Sequence, residues 1–378
     1  MITRSFPGSW QPGDALGRRK RVLLAGEGDA LRLECGDSLS ELFVAYETWG
    51  ELNAGRDNAV LVLHALTGDS HAAGPIEPGY PAPGWWEGLI GPRAAIDTDR
   101  FFVVCPNVLG GCQGTTGPSS LARDGLPYGS RFPSLTIRDQ VAAEVALSDQ
   151  LGIESWAAIV GGSMGGMRAL EWCIGYPERV RRGVILSVGA AATAEQIALC
   201  SLQIRAIEAD PAFADGDYYE TSRRPLTGLG IARGLGQVSY RTSQELQRRF
   251  ARDVQSPEDP LHGGQYEVES YLRYHGEKLA SRFDPNSYIV LSKAMNSHDV
   301  GRGRGGVKSA LATVRAAVNV AGIASDRLYP LALQEELAQL LPGDRPLNVI
   351  ESESGHDGFL LEIDQVGKFV ASALEDSA

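Results

Sequence analysis

The chain has no uninterrupted apolar run long enough to span a bilayer, and its opening residues, MITRSFPGSWQPGDALGRRK, hold no apolar core of the signal-peptide kind. No membrane partner and a cytoplasmic location are therefore expected. None of the five cysteines (Cys35, Cys105, Cys112, Cys173, Cys200) forms a CxxC pair. The odd count and the spacing argue against a disulfide framework and against a zinc site, leaving reduced and mostly buried thiols. Positive charge is also short, since 35 Lys and Arg stand against 47 Asp and Glu for a formal charge of −12. That balance argues against nucleic acid or an anionic membrane as partner, though a small anionic ligand needs only local positive charge. Internal repeats, low-complexity tracts and linkers are absent. What remains is an ordinary globular composition, 43% hydrophobic over 378 residues, enough for one α/β core with an insertion.

The most informative stretch is Ala157 to Trp172, AAIVGGSMGGMRALEW. Small and apolar residues lead into Gly161 and Gly162, Ser163 follows, and Met164, Gly165 and Gly166 open a helical sequence. The pattern fits the GxSxG nucleophile elbow, in which a strained turn lifts a serine above the carboxyl end of a sheet. Glycines flank such a turn because a Cβ would collide with the neighbouring strand or helix. A structural turn is the alternative, but a readable strand before and helix after favour the elbow.

Around it, strands are expected near Leu31 to Glu34, Leu42 to Thr48, Ala59 to Leu63, Phe101 to Val104, Val184 to Val188, Ala317 to Ile323 and Leu347 to Glu351. Residues 1 to 20 read as an irregular lead-in. An amphipathic helix is expected from Ile137 to Leu151, carried by Ile137, Val141, Val145, Leu147 and Leu151. Strands alternating with helices imply a mostly parallel sheet with right-handed crossovers. Between Ala191 and Arg304 no buried strand is legible. Thr193 with Gln196 starts a capped helix whose face is Ile197, Ile204 and Ile207, and further helices are expected at Ser243 to Ala251, Glu267 to Ser281 and Pro285 to Ser297. This segment reads as a helical lid inserted into the core, so the expected division is 1–190 core, 191–304 lid, 305–378 core. Its apolar faces suit dimerisation equally. A helix over Leu333 to Leu341 and a closing one with Phe359, Ile363, Val366, Val370 and Leu374 on one face complete the chain.

Ser163, Asp326 and His356 each stand just past an expected strand, in the chain order nucleophile, acid, histidine of the α/β-hydrolase fold. A serine hydroxyl needs the imidazole as base, and the acid fixes the imidazole tautomer. The loop HALTGDSHAAG, residues 64 to 74, leaves the Ala59 to Leu63 strand where such folds supply an oxyanion donor, and Leu66 or Thr67 is the candidate beside the Met164 N–H. The loop LGGCQGTTGPSS (109 to 120) would let backbone approach a ligand, or is a plain surface turn. His64 and His71 read as loop hydrogen-bonding residues rather than metal ligands. His262, His275 and His298 read as structural or exposed. The run Gly301 to Arg304 reads as a solvated hinge, with Arg302, Arg304 or Lys308 meeting a ligand phosphate as the lesser alternative.

Six segments, HALTGDSHAAG, NVLGGCQGTTGPSS, GGSMGGMRALEW, YEVESYLRYHGEKLASRFDPNSY, GIASDRLYP and GHDGFL, together resemble homoserine O-acetyltransferases of the α/β-hydrolase type, from about residue 20 onward. The resemblance implies a methionine-biosynthetic acyltransferase carrying acetyl from acetyl-CoA to L-homoserine by a ping-pong acyl-serine route. It implies no metal or prosthetic group, acetyl-CoA acting as co-substrate. It further implies a homodimer through the lid helices, Arg233 holding the substrate carboxylate and Asp357 its amine. By residue type alone, Arg233 is also readable as a surface residue and Asp357 as a helix cap. A serine O-acetyltransferase, a homoserine O-succinyltransferase and a serine esterase remain the alternative readings, since a triad does not choose its acceptor.

Overall fold

Strand Ala59–Leu63 is buried at all five positions, and the reason is visible in how its side chains divide. Leu61 and Leu63 join a core cluster that includes Met167, Leu170 and Trp172, whereas Val60 and Val62 join another that includes Phe359, Val366 and Val370. Alternate residues thus feed two cores, one on each face of the sheet, and a strand covered on both sides reads as continuous apolar sequence. The computed structural model describes residues 8–25, 30–255 and 258–375.

Among those residues the main sheet has eight strands: β1 (Lys20–Ala25), β2 (Leu42–Trp49), β3 (Ala59–Leu63), β4 (Phe102–Pro106), β5 (Ala158–Gly162), β6 (Arg182–Leu186), β7 (Ala317–Ile323) and β8 (Asn348–Ile350). Their spatial order is β1-β2-β4-β3-β5-β6-β7-β8. β2 is antiparallel to β1 and β4, and every other pairing is parallel. This is an α/β-hydrolase fold with a mostly parallel sheet. Two expectations need correction. β1 falls partly in the expected lead-in and partly beyond it; it opens with Lys20 and Arg21 and pairs on one side only, so its sequence lacks the run of a central strand. Leu31–Arg32 does not enter this sheet and pairs with Ser38–Leu39 alone. Residues 1–7 of the lead-in lie outside the described residues.

Helices α1 (Ile137–Gln150) and α2 (Met164–Gly175) pack together on one face. Between β6 and β7 come α3 (Ala194–Glu208), α4 (Leu226–Tyr240), α5 (Ser243–Phe250), α6 (Glu267–Ala280), α7 (Pro285–Asn296) and the short α8 (Val307–Leu311). The base of this segment is drawn together where Ala192 N–H donates to His298 O at 2.8 Å and Val300 N–H to Ala190 O at 3.0 Å. Thr193 and Gln196 form the expected capping box on α3, but Ile197 is 38% exposed, and the buried face is Ile204 and Ile207 with Gln196 and Gln203.

α4 was not legible, because Gly228, Gly230, Gly234 and Gly236 interrupt it and glycine costs about 1 kcal/mol per helical position. Close helix packing accounts for Gly228 and, across from Gly230, for Gly276 of α6. A Cβ on Gly228 would sit 2.5 Å from the Ala206 carbonyl of α3, and one on Gly276 of α6 would sit 2.8 Å from the Gly230 carbonyl. Helix α9 (Leu331–Leu340) precedes β8, and the closing helix is broken at Glu362 into α10 (Gly358–Leu361) and α11 (Ile363–Glu375). Among the described residues no helix is long and apolar enough to cross a membrane.

Candidate active site

Ser163 joins β5 to α2 with φ 55° and ψ −126°, a conformation that a residue with a side chain rarely adopts. Packing holds it there. Ser163 N–H donates to Leu186 O of β6 at 3.0 Å, and α2 lies so close to β3 that a Cβ on Gly165 would be driven into the Leu63 carbonyl. The turn presents Ser163 Oγ 2.9 Å from His356 Nε2. On the other side of the ring, His356 Nδ1 lies 2.6 Å from Asp326 Oδ2. The second Asp326 oxygen accepts the Leu328 and Tyr329 N–H groups, each at 2.9 Å. This commitment fixes Nδ1 as the protonated nitrogen and leaves Nε2 to accept from the serine.

The loops carrying acid and base are also tied to each other. Ser325 Oγ donates to Ser352 O at 2.6 Å and accepts Gly355 N–H at 3.1 Å. Gly355, with φ 63°, lies against the Tyr240 carbonyl where no side chain fits. Three aromatic rings wall the imidazole: Tyr329 stacked at 5.0 Å between centroids, Phe359 at 5.4 Å and Tyr240 at 5.9 Å. Burial by itself would depress the His356 pKa, but the Asp326 charge and hydrogen bond, with Asp357 nearby, hold it above its ordinary value.

Leu66, Thr67, Ser163, Arg233, His356 and Asp357 line one small cavity of about 90 Å³. Met164 contributes no side chain to it, being wholly buried, but it is the first residue of α2, where helix N–H groups lack a partner within the helix. The turn across from it is closed by Gly68 N–H donating to Ala65 O at 2.9 Å, which leaves the Leu66 and Thr67 N–H groups out of the turn bond.

Arg233 projects from α4 with its guanidinium 5.4 Å from the Tyr240 ring centroid, and no carboxylate of the described residues lies within ion-pair distance of it. Asp357, which the resemblance assigns to the substrate amine, stands at the N-cap position of α10 without a side-chain cap hydrogen bond and is already ion-paired. Its Oδ2 is 3.1 Å from Arg241 Nη2, and Arg241 also pairs with Glu245 at 3.1 Å.

Sequence reasoning missed Arg241, Tyr240, Tyr329 and Phe359; only Tyr329, three residues past Asp326, and Phe359, three past His356, had positions that could have flagged them. Gly301 to Arg304 form a turn in which Arg302 stays exposed, and Arg302 and Arg304 pair with Glu34 at 2.6 Å and Glu171 at 2.8 Å. His64 Nδ1 hydrogen-bonds Ala65 O within its loop at 2.8 Å, whereas His71 Nδ1 reaches Glu47 of β2 at 3.1 Å. His298 is buried against Gly189 O at 3.0 Å. All five cysteines are free.

Residues 58–363 match the family model of the alpha/beta hydrolase fold. A homoserine O-acetyltransferase of Thermobifida fusca is 58% identical over 97% of this chain and 96% of its own. The crystal structure of homoserine O-acetyltransferase from Bacillus anthracis superposes with a TM-score of 0.87 at 27% identity, covering 95% of this chain and 98% of that one. Esterase E22 superposes with a TM-score of 0.86, also at 27% identity, covering 94% and 99%.

The raised His356 pKa gives a signed prediction. The imidazole must be neutral to take a serine proton, so the rate climbs as pH rises through the folded-state pKa, which lies above 6.5. The acid limb of a pH profile for Ser163 acylation is expected to have its midpoint above 6.5. Asp326→Asn removes the charge that raises it, shifting the limb to lower pH and reducing turnover on the order of 10⁴-fold. A wild-type midpoint below 6.5, or an unshifted one in Asp326→Asn, contradicts this account.

Proposed function

The chain belongs to the homoserine O-acetyltransferase family of the α/β-hydrolase fold, and from that premise we propose that it transfers acetyl from acetyl-CoA to the γ-hydroxyl of L-homoserine, as a step of methionine biosynthesis. The observation that carries this reading beyond a bare triad is the pair of opposite charges on the wall shared with Ser163. Arg233, uncommitted to any carboxylate among the described residues, suits the carboxylate of an amino acid through its planar fork, and Asp357, shared with Arg241, suits the ammonium.

In the proposed ping-pong sequence Ser163 Oγ attacks the thioester carbonyl as its proton passes to His356 Nε2. The tetrahedral oxyanion is held by the N–H groups of Leu66 and Met164. Collapse breaks the carbon–sulfur bond, the CoA sulfur takes the proton from the imidazolium, and CoA departs. The homoserine hydroxyl then gives its proton to the same nitrogen, attacks the acetyl-serine carbonyl, and Ser163 leaves with the proton returned. Every proton transfer and charge in this scheme is handled by the chain's own residues, with acetyl-CoA as co-substrate and no metal or prosthetic group. Asp326 keeps the imidazole oriented in both halves.

A second reading, an esterase passing the acyl group to water, is favoured by the likeness to esterase E22. It leaves Arg233 without a task, whereas Asp357 already pairs with Arg241. Serine as acceptor and succinyl-CoA as donor are the remaining variations on the same chemistry.

Residues 191–304 we propose as a lid that also dimerises. Leu202 of α3 and Ile231 and Val238 of α4 are 53%, 55% and 40% exposed, a concentration of apolar surface better covered than left in water. Five free thiols fit a reducing compartment, and the cytoplasm is the proposed location.

Three outcomes are expected. CoA release from acetyl-CoA is rapid only with L-homoserine and slow with water or L-serine, and succinyl-CoA in place of acetyl-CoA releases CoA slowly; rapid release without an acceptor identifies a hydrolase instead. Arg233→Ala lowers kcat/KM for homoserine by about 10- to 100-fold while leaving acylation by acetyl-CoA near wild type; equal losses in both halves would remove the carboxylate role. For the dimer, Ile231→Asp should shift light-scattering mass to that of one chain, and an unaltered dimer contradicts the lid contact.

A further inference from the structure

The turn that offers the first oxyanion donor is gripped from two sides by arginines. Arg168, on α2 four residues after Met164, is wholly buried, and its guanidinium donates to the His64 carbonyl. Glu144 of α1 holds the same guanidinium at 2.5 Å, and the other Glu144 oxygen takes Trp172 Nε1 at 2.8 Å. From the opposite side Arg282, in the connection between α6 and α7, donates from Nη1 to the Thr67 carbonyl at 2.8 Å.

A trans peptide points its C=O and the next N–H in opposite directions, so whatever holds a carbonyl also aims the N–H behind it. Arg282 fixes the Thr67 carbonyl and therefore the Gly68 N–H, which donates to Ala65 O at 2.9 Å. Ala65 O is also taken by His64 Nδ1–H at 2.8 Å. The His64 ring is itself fixed, since its Nε2 accepts Val108 N–H at 3.1 Å. Burial, followed by the nearby Arg168 charge, lowers its pKa to about 3, so it stays neutral with the proton on Nδ1. With the Ala65 carbonyl held from two directions, the Leu66 N–H behind it has one orientation left. Arg168 fixes the start of the same turn from the helix whose first N–H, that of Met164, is the second donor.

We infer that Arg168 and Arg282 are positioning residues for acyl transfer, holding the Ala65–Gly68 turn so that the Leu66 N–H converges with that of Met164 on the developing oxyanion. Arg282 belongs to the helical insertion, so docking of that insertion is coupled to completion of the oxyanion site. This inference rests on the proposed acyl-serine chemistry at Ser163.

The test measures, in the full chain, acylation by acetyl-CoA, KM for both substrates, thermal unfolding, and affinity for methylboronic acid, which forms a tetrahedral adduct with a serine nucleophile and mimics the oxyanion. The variants are Arg168→Lys, Arg282→Lys and Arg282→Gln. Arg168→Lys keeps a cation beside Glu144, and Arg282 forms no ion pair among the described residues, so all three are expected to fold. The acylation rate and boronate affinity should fall together by about 10- to 100-fold, with both KM values within about threefold and Arg282→Lys less impaired than Arg282→Gln. Folded variants with wild-type boronate affinity overturn the inference, as does a loss of activity that appears only in KM. Failure of the wild-type protein itself to bind the boronate overturns instead the reading of Ser163 on which the inference stands.

Discussion

The backbone of one residue sets the terms for the rest of the structure. Ser163 sits at φ 55° and ψ −126°, a conformation that costs on the order of 1–3 kcal/mol and persists only where its surroundings enforce it. The enforcement comes from β5 and β6 in register at Gly162 and Leu186, and from α2 pressed onto the end of β3 through Gly165. Without that close approach the helix would ride outward, and the hydroxyl would leave its 2.9 Å contact with His356. The same approach brings the first N–H of α2 toward the turn after β3. The glycines of the elbow are therefore a distance constraint between two halves of one site.

Much of this was legible because the determinants are local. A strand buried on both faces announces itself as an apolar run, and Ala59–Leu63 and Ala317–Ile323 have the expected bounds. The elbow is legible for the same reason, since its glycines are adjacent to the serine they serve. The order Ser163, Asp326, His356 could be written down, and the hydrogen bonds at 2.9 Å and 2.6 Å join those three residues. What failed was whatever depended on distant partners. α4 is poor helix sequence until α3 and α6 are packed against it, and β1 is unremarkable until β2 pairs with it. The ion pair of Arg241 with Asp357 joins residues more than a hundred positions apart, and neither has a local signature. Tyr240 and Tyr329 become walls of the imidazole only when the end of α4 meets the loop after β7.

The insertion between β6 and β7 brings more to the cavity than a cover. It contributes Arg233 from α4, Gln196 and Gln203 from α3 and Met295 from α7, while the core contributes Ser163, His356 and Asp357. In this account the chemistry belongs to the core, and the choice of acceptor to the contact between core and insertion. That division explains how nearly superposable scaffolds can carry a homoserine O-acetyltransferase and an esterase. On the proposed function the triad takes the acyl group, and the charges around it select what receives it.

The central claim is that an acetyl group rests on Ser163 and waits for an amino-acid hydroxyl. The most direct measurement is rapid-quench mass spectrometry of the protein mixed with acetyl-CoA, followed by a chase with or without L-homoserine. The account predicts one added acetyl mass located on the peptide containing Ser163 and absent from Ser163→Ala. That mass should persist in buffer and vanish on the homoserine chase as O-acetylhomoserine appears. An acetyl group that never accumulates on Ser163, or that leaves equally fast without homoserine, would contradict it.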